Sequence, residues 1–322
     1  MLSPAWRSRA DLTARDGDRH RIDGAIRSGA YSSPARGVLL PSDCCDDLWQ
    51  RCGAVLSTQR ADAAIARRTA AVAHEFAWLP DAWGSVDVPI SVNVDRDDVT
   101  RSARRGLDRR IAALPPEDIA LWKGLRITTP ARTAVDLARY ESHAVALPVL
   151  DWLLTQQICS REELLAVLDR MVRVPHVRRA RQRVELARCG VASPRETHTR
   201  LHILGAGLPE PDVNLLIVVN GLVIAQGDLG YWRWLIWIEY DGEEFHLGRR
   251  MSGDDQSKDR WLKARGWDVY RITNRDHYAP GAFLEQLRHG IAEAPARIAA
   301  MDPRRSPELA EAHRLLGLPR RS

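Results

Sequence analysis

Lysine is nearly missing from this sequence. Of its 47 basic residues only Lys123, Lys258 and Lys263 are lysines; the rest are arginine. Positive charge therefore sits almost wholly on planar, permanently charged guanidinium forks, which suit phosphates. The bland source of such a skew is base composition of the genome. Cysteine is also sparse. Cys44, Cys45, Cys52, Cys159 and Cys189 show no zinc-type spacing, and an odd count argues against a disulfide framework. They are expected as free thiols in a reducing cytoplasm. Long apolar runs are missing too. The start, MLSPAWRSRADL, has no apolar signal core, and the longest apolar stretch, Ala144 to Leu154, is broken by Pro148 and Asp151. That is too short to span a bilayer, so no membrane partner is expected.

What is present fits a cytoplasmic globular protein. The 322 residues allow two or three domains, and 45% apolar with 28% charged residues is ordinary. A net charge of +5 and a pI near 9.1 permit a nucleic-acid partner without requiring one.

Residues 1–45 read as a small helical DNA-binding module. Arg9 to Arg15 forms a short helix, Gly17 a turn, and roughly Asp18 to Ser28 a second helix ended by Gly29. Ile22, Ala25 and Ile26 share its apolar face, and His20, Gly24 and Arg27 the opposite one. AYSSPARGVLL then makes a hairpin, or wing, with Arg36 near its tip. Helix-turn-helix plus wing places a helix in the major groove. The competing reading is a helical cap with a solvated basic face, and the pattern leaves both open.

Residues 46–165 form a mixed middle domain without a catalytic constellation. Val86 to Val94 alternates like a strand. Ile127 to Tyr140, ITTPARTAVDLARY, reads as a turn followed by a helix capped by Thr128 or Thr129, with Pro130 at its start. Residues 166–190 form a basic linker helix broken at Pro175. Its arginines suit either a phosphate-binding face or a solvated surface.

Residues 191–292 carry the clearest signals, followed by a polar tail at 293–322. Ser193-Pro-Arg-Glu196 opens a helix with a capping-box pattern. Val213 to Val219 and Leu222 to Leu229 are strands joined by the turn Asn220-Gly221. Leu235 to Asp241 is a third strand, Asp254 to Arg265 a helix, Trp267 to Ile272 a fourth strand, and Gly281 to Gly290 a last helix. The expected class is α/β (α+β), multidomain, with a mixed sheet at the C-terminal end.

In the third strand Leu235, Trp237, Glu239 and Asp241 share one face, so the two acids lie roughly 6–7 Å apart. Asp228 ends the neighbouring strand. Three carboxylates at one sheet end repel one another unless something positive sits between them. A hard divalent cation, Mg²⁺ or Mn²⁺, answers that and suits phosphoryl chemistry. Each residue also has a bland role. Glu196 completes a cap, Asp241-Gly242 is a turn dipeptide, His246 a surface histidine, and Lys258-Asp259 solvated helix charges. Glu239 is the exception, because a strand interior beside Ile and Trp is a costly place for an unpaired charge.

At these residues the chain resembles a known family. Glu196, Asp228, Glu239-Tyr-Asp241-Gly242, His246, Lys258-Asp259, Leu262, Gly266-Trp267 and Val269-Tyr-Arg271 follow the order found in very-short-patch-repair (Vsr)-like endonuclease domains. That family belongs to the restriction-endonuclease-like PD-(D/E)XK superfamily. The resemblance implies an α-β-β-β-α-β core and metal-dependent hydrolysis of DNA phosphodiesters. Asp228 and Glu239 would hold the metal, Glu196 would orient a water, and His246 would serve as acid/base or phosphate contact. Asp241 stands where many members carry a catalytic lysine. The front of the chain, with Ser28-Gly29, Arg36-Gly37-Val38 and ITTPARTAVDLA, resembles AbiEi-type antitoxin regulators of actinobacteria, which are winged-helix repressors. That implies DNA and a cognate toxin as partners.

Two functions follow. One is a metal-dependent DNA endonuclease in repair or defence, with Glu196, Asp228, Glu239, Asp241 and His246 catalytic. His20, Arg27, Arg36 and Lys258 would then bind DNA. The other is an AbiEi-type regulator whose nuclease-like domain is catalytically inactive.

Overall fold

A computed structural model describes residues 3–16, 19–94, 106–241 and 253–318. The chain divides into two compact units, Met1–Ala187 and Arg188–Ser322. No helix among the described residues is long and apolar enough to cross a membrane.

The first unit opens with a small antiparallel sheet and two helices. Strand β1 (Arg7–Ser8) precedes α1 (Arg9–Asp16) and α2 (Arg19–Arg27), and β2 (Tyr31–Ala35) and β3 (Val38–Pro41) complete the sheet in the order β1-β3-β2. Leu12, Ile22 and Leu39 form its own small core, with Ile26 packed against them. The expected helices and hairpin are in place; Gly17 and Asp18 lie outside the described residues. Gly29, at φ +79°, lets the chain leave α2 in a conformation that side chains resist.

A mixed five-stranded sheet follows, in the order β6-β5-β4-β8-β7. Its strands are β4 (Ala64–Ile65), β5 (Ile90–Val94), β6 (Leu107–Ile111), β7 (Ile119–Trp122) and β8 (Leu125–Thr128). Helix α3 (Leu48–Leu56) starts at Asp47, whose carboxylate accepts the Trp49 and Gln50 amides. With α4 (Arg67–Ala73) it covers the sheet through Cys52, Val55 and Ala70, packed against Ile65, Val92 and Ile127. The helix expected after Thr128 is α5 (Pro130–Tyr140), and its cap is Thr129. Around it lie α6 (His143–Thr155), α7 (Arg161–Arg170) and α8 (Val177–Leu186).

Being surrounded, α5 buries charges as well as apolar groups. Asp136 is fully buried. It accepts hydrogen bonds from Arg132 Nε (3.1 Å), Asn93 Nδ2 (3.1 Å) and Arg139 Nη1 (2.7 Å). Arg132 also holds buried Asp118 at 2.7 Å, and Arg170 binds the same carboxylate. Removing a carboxylate from such a network strands arginines without solvent. The arginines of the supposed basic linker are partly spent in this way. Arg183 donates to the Ala138 and Glu141 carbonyls, and Arg179 to the Arg139 carbonyl.

The second unit has the element order expected from sequence. Helix α9 (Pro194–Gly205) is followed by β9 (Asp212–Val219), β10 (Leu222–Tyr231), β11 (Ile236–Tyr240), α10 (Gly253–Ala264) and β12 (Asp268–Ile272). A short α11 (Asn274–Tyr278), a long α12 (Gly281–Ala299) and α13 (Pro307–Leu315) end it. The sheet runs β12-β11-β10-β9, antiparallel except for β11 beside β12. The expected alternation holds on β11. The strand starts one residue later than expected, because Leu235 is left-handed at φ +48°; Leu235 and Trp237 join one core cluster, and Ile236 and Ile238 the other.

Candidate functional site

Two regions hold the residues singled out by sequence, one in each unit. In the first unit β2 and β3 are joined by a turn at Arg36-Gly37, where Gly37 has φ +85°. Ser33 Oγ, donating to the Ala35 and Val38 carbonyls at 3.0 and 3.1 Å, tightens this turn from inside. Arg36 is exposed at its tip. His20 and Arg27 are exposed on α2, whose Ile22 faces the core. The geometry is a basic hairpin tip beside a helix with a basic outer face.

In the second unit the antiparallel register sets Leu229 opposite Ile238, which brings Asp228 beside Glu239 one step further on. The Asp228 carboxylate accepts the Tyr240 amide at 2.7 Å. Burial pushes the Asp228 carboxyl up from its ordinary value. The Tyr240 amide pulls it down, Glu239 adds to the rise, and Lys258 and Arg271 oppose it.

Glu239 is almost fully shielded, and its oxygens are spoken for. Oε1 accepts Trp237 Nε1 at 2.7 Å and pairs with Lys258, while Oε2 pairs with Arg271 Nη1 at 2.5 Å. Parallel pairing of β11 with β12 sets Glu239 beside Arg271, so the contact is built into the sheet. The other arm of Arg271 binds Asp259 at 2.6 Å. Lys258, on α10, also donates to the Gln226 carbonyl at 2.9 Å and lies 5.4 Å from the Trp237 ring centre. Close approach across the strands is needed here: a Cβ on Gly227 would come within 2.5 Å of the Trp237 ring.

The remaining residues are placed as follows. Ser193 caps α9, its Oγ accepting the Glu196 amide at 3.3 Å, and the Glu196 carboxylate reaches back to accept Ser193 Oγ at 2.8 Å and the Ala192 amide at 2.9 Å. Asp241 follows β11, its amide donating to the Ile272 carbonyl at 2.7 Å. His246 and Gly242 lie outside the described residues. The sheet thus brings Asp228, Glu239 and Lys258 together. Arg271 completes the group; the pattern of acids does not point to it, although it belongs to the Val269-Tyr-Arg271 motif.

As arranged, these donors do not fit a hard divalent cation. Glu239 is neutralised by two protein cations, Glu196 is used in a helix cap, and no group of three metal-ligating residues occurs among the described residues. The sheet end solves its charge problem with Lys258 and Arg271.

Residues 59–201 match the family of the AbiEi antitoxin C-terminal domain. The match takes in the five-stranded sheet and the α5 network, and it stops in α9, before β9. Two relatives from Mycobacterium tuberculosis strains, the uncharacterized proteins MT2308 and Rv2248, are each 29% identical over 174 residues. That is 53% of this chain, which spans 64% of the length of these curated relatives. The crystal structure of the RV2827C protein from Mycobacterium tuberculosis is similar at 19% identity and a TM-score of 0.40. It covers 56% of this chain and 72% of that one.

Proposed function

We propose that the chain is a DNA-binding regulator of the AbiEi antitoxin type, acting with a cognate toxin, and that its second unit is a nuclease-like scaffold rather than an enzyme. The observation that carries this reading is the match of residues 59–201 to the AbiEi antitoxin C-terminal domain family. The exposed Arg27 and Arg36, on a helix and the hairpin beside it, support a duplex contact of the winged-helix kind. The carboxylate end supports the scaffold reading, because Glu239 is held by Lys258 and Arg271.

The test is binding of the full chain to DNA upstream of its own coding sequence, at several salt concentrations. Binding should weaken steeply with salt, and Arg36→Ala should lower the slope by about 1. Binding that ignores both salt and Arg36→Ala would sink the reading. Metal-dependent phosphodiester hydrolysis keeps one observation in its favour, Asp228 lying beside Glu239 on neighbouring strands. DNA cleavage with Mg²⁺ that disappears in Asp228→Ala and Glu239→Ala would restore it.

A further inference from the structure

Along one face of α9, Arg195, His198 and His202 recur at helical spacing. Helix α11 packs on α9 and sets His277 and Tyr278 against them. The His277 ring centre lies 5.3 Å from that of His198 and 6.0 Å from that of His202. The Arg195 guanidinium lies 5.6 Å from the ring centres of both Tyr240 and Tyr278. Tyr278 is 78% exposed, so one aromatic face of the cluster is open.

Two polar nitrogens in this cluster are unused. Arg195 Nη1 and His277 Nδ1 are shielded from solvent and find no hydrogen-bond partner among the described residues. Burial, then Arg195, His198 and His202, hold His277 down to about 4; every charged neighbour in that balance is positive. His202 is lowered by burial and by His198, against a hydrogen bond to the His277 backbone. The nearest acids in sequence are engaged elsewhere. Asp276 accepts from the Thr273 amide and hydroxyl, and Glu196 from Ser193 and Ala192.

We propose that Arg195, His198, His202 and His277 form an anion site for a nucleic-acid phosphate, with Tyr278 as the stacking surface for an adjacent base. An anion supplies a counter-charge to the positive neighbours of His277, and it gives Arg195 Nη1, and His277 Nδ1 once the ring is protonated, an acceptor. It also favours the imidazolium form of its neighbours, so binding takes up protons and tightens as pH falls. An open tyrosine face suits single-stranded nucleic acid, whose bases are free to stack. Naming the anion as nucleic acid rests on the DNA-binding reading above; the anion site itself does not.

The experiment uses the full chain carrying Arg27→Ala and Arg36→Ala, so that the hairpin region does not contribute. Anisotropy with a labelled single-stranded thymidine oligonucleotide is measured from about pH 7.5 down to about pH 5.5. Inorganic phosphate, followed by histidine NMR shifts, runs beside it. Affinity for the oligonucleotide should rise on the order of tenfold over that range if one imidazole gains its proton on binding. His277→Gln should remove most of the pH dependence. Tyr278→Ala, a surface change that leaves the fold alone, should weaken binding by at least about fivefold. Both variants binding like the parent at either pH would overturn the site. Phosphate shifts at His277 without oligonucleotide binding would overturn the nucleic-acid assignment. If the unsubstituted chain binds no duplex while pH-dependent single-strand binding persists, the regulator reading fails and this one stands.

Discussion

The two units use charge in opposite ways. Around α5 the carboxylates of Asp136 and Asp118 are fully buried, and each oxygen meets an arginine or amide donor. At the end of β11 the Glu239 carboxylate is also satisfied, but its partners Lys258 and Arg271 are more than a quarter exposed. The first arrangement is closed to solvent around Asp136, whose partners Arg132 and Arg139 are themselves buried, and it opens only at Arg170 on Asp118; at Asp136 the charge serves packing. The second lies at a strand end within reach of solvent, where a ligand has something to compete for. A buried ion pair says little about function; a half-open one at a sheet end is where function is worth testing.

The contrast can be broken first at Asp136. Asp136→Ala leaves Arg132 and Arg139 without their shared counter-charge and should destabilise the first unit by about 3–5 kcal/mol. Urea unfolding of the full chain, resolved by unit with hydrogen-exchange mass spectrometry, measures it. Glu239→Gln keeps a neutral acceptor among partners that water can reach, so the second unit should lose only about 1–2 kcal/mol. If the two substitutions cost the same, the difference in burial has no energetic meaning. The smallest effect is expected at Asp228, and its sign depends on pH. Burial raises this carboxyl in the folded state, so the stability its neutral form contributes is present at acid pH. That stability is lost as pH rises through the folded value. Asp228→Asn should therefore leave the second unit equal to or slightly more stable than the parent near neutral pH, with the gain vanishing on acidification. A gain that grows toward acid would reverse the assigned cause.

What sequence made legible was whatever depended on local period. The β9–β10 hairpin turns at Asn220-Gly221, and both residues have positive φ, 52° and 78°, as the dipeptide predicts. The order from α9 to β12 and the short helices before the wing followed from the same reasoning. The β7–β8 hairpin did not, because its turn is Lys123-Gly124, at φ 49° and 86°, a pair that carries no strong turn signature. The partners of Glu239 were hidden for a different reason. Lys258 and Arg271 lie 19 and 32 positions away; strand register brings Arg271 to Glu239, and Lys258 reaches it from α10. The burial of the α5 arginines was not legible, since nothing in ITTPARTAVDLARY tells that helices close over it on several sides. His277 meets His198 and His202 only because α11 folds back onto α9.

The enclosure of α5 has a consequence in time as well as in energy. Its charged side chains reach β5 through Asn93, the segment before β7 through Asp118, and the α7–α8 connection through the Pro175 carbonyl. No turn of this helix can open while those bonds hold, so it has no local route to fraying. Its amide protons should exchange only when the first unit opens as a whole, making α5 the slowest clock in that half of the chain.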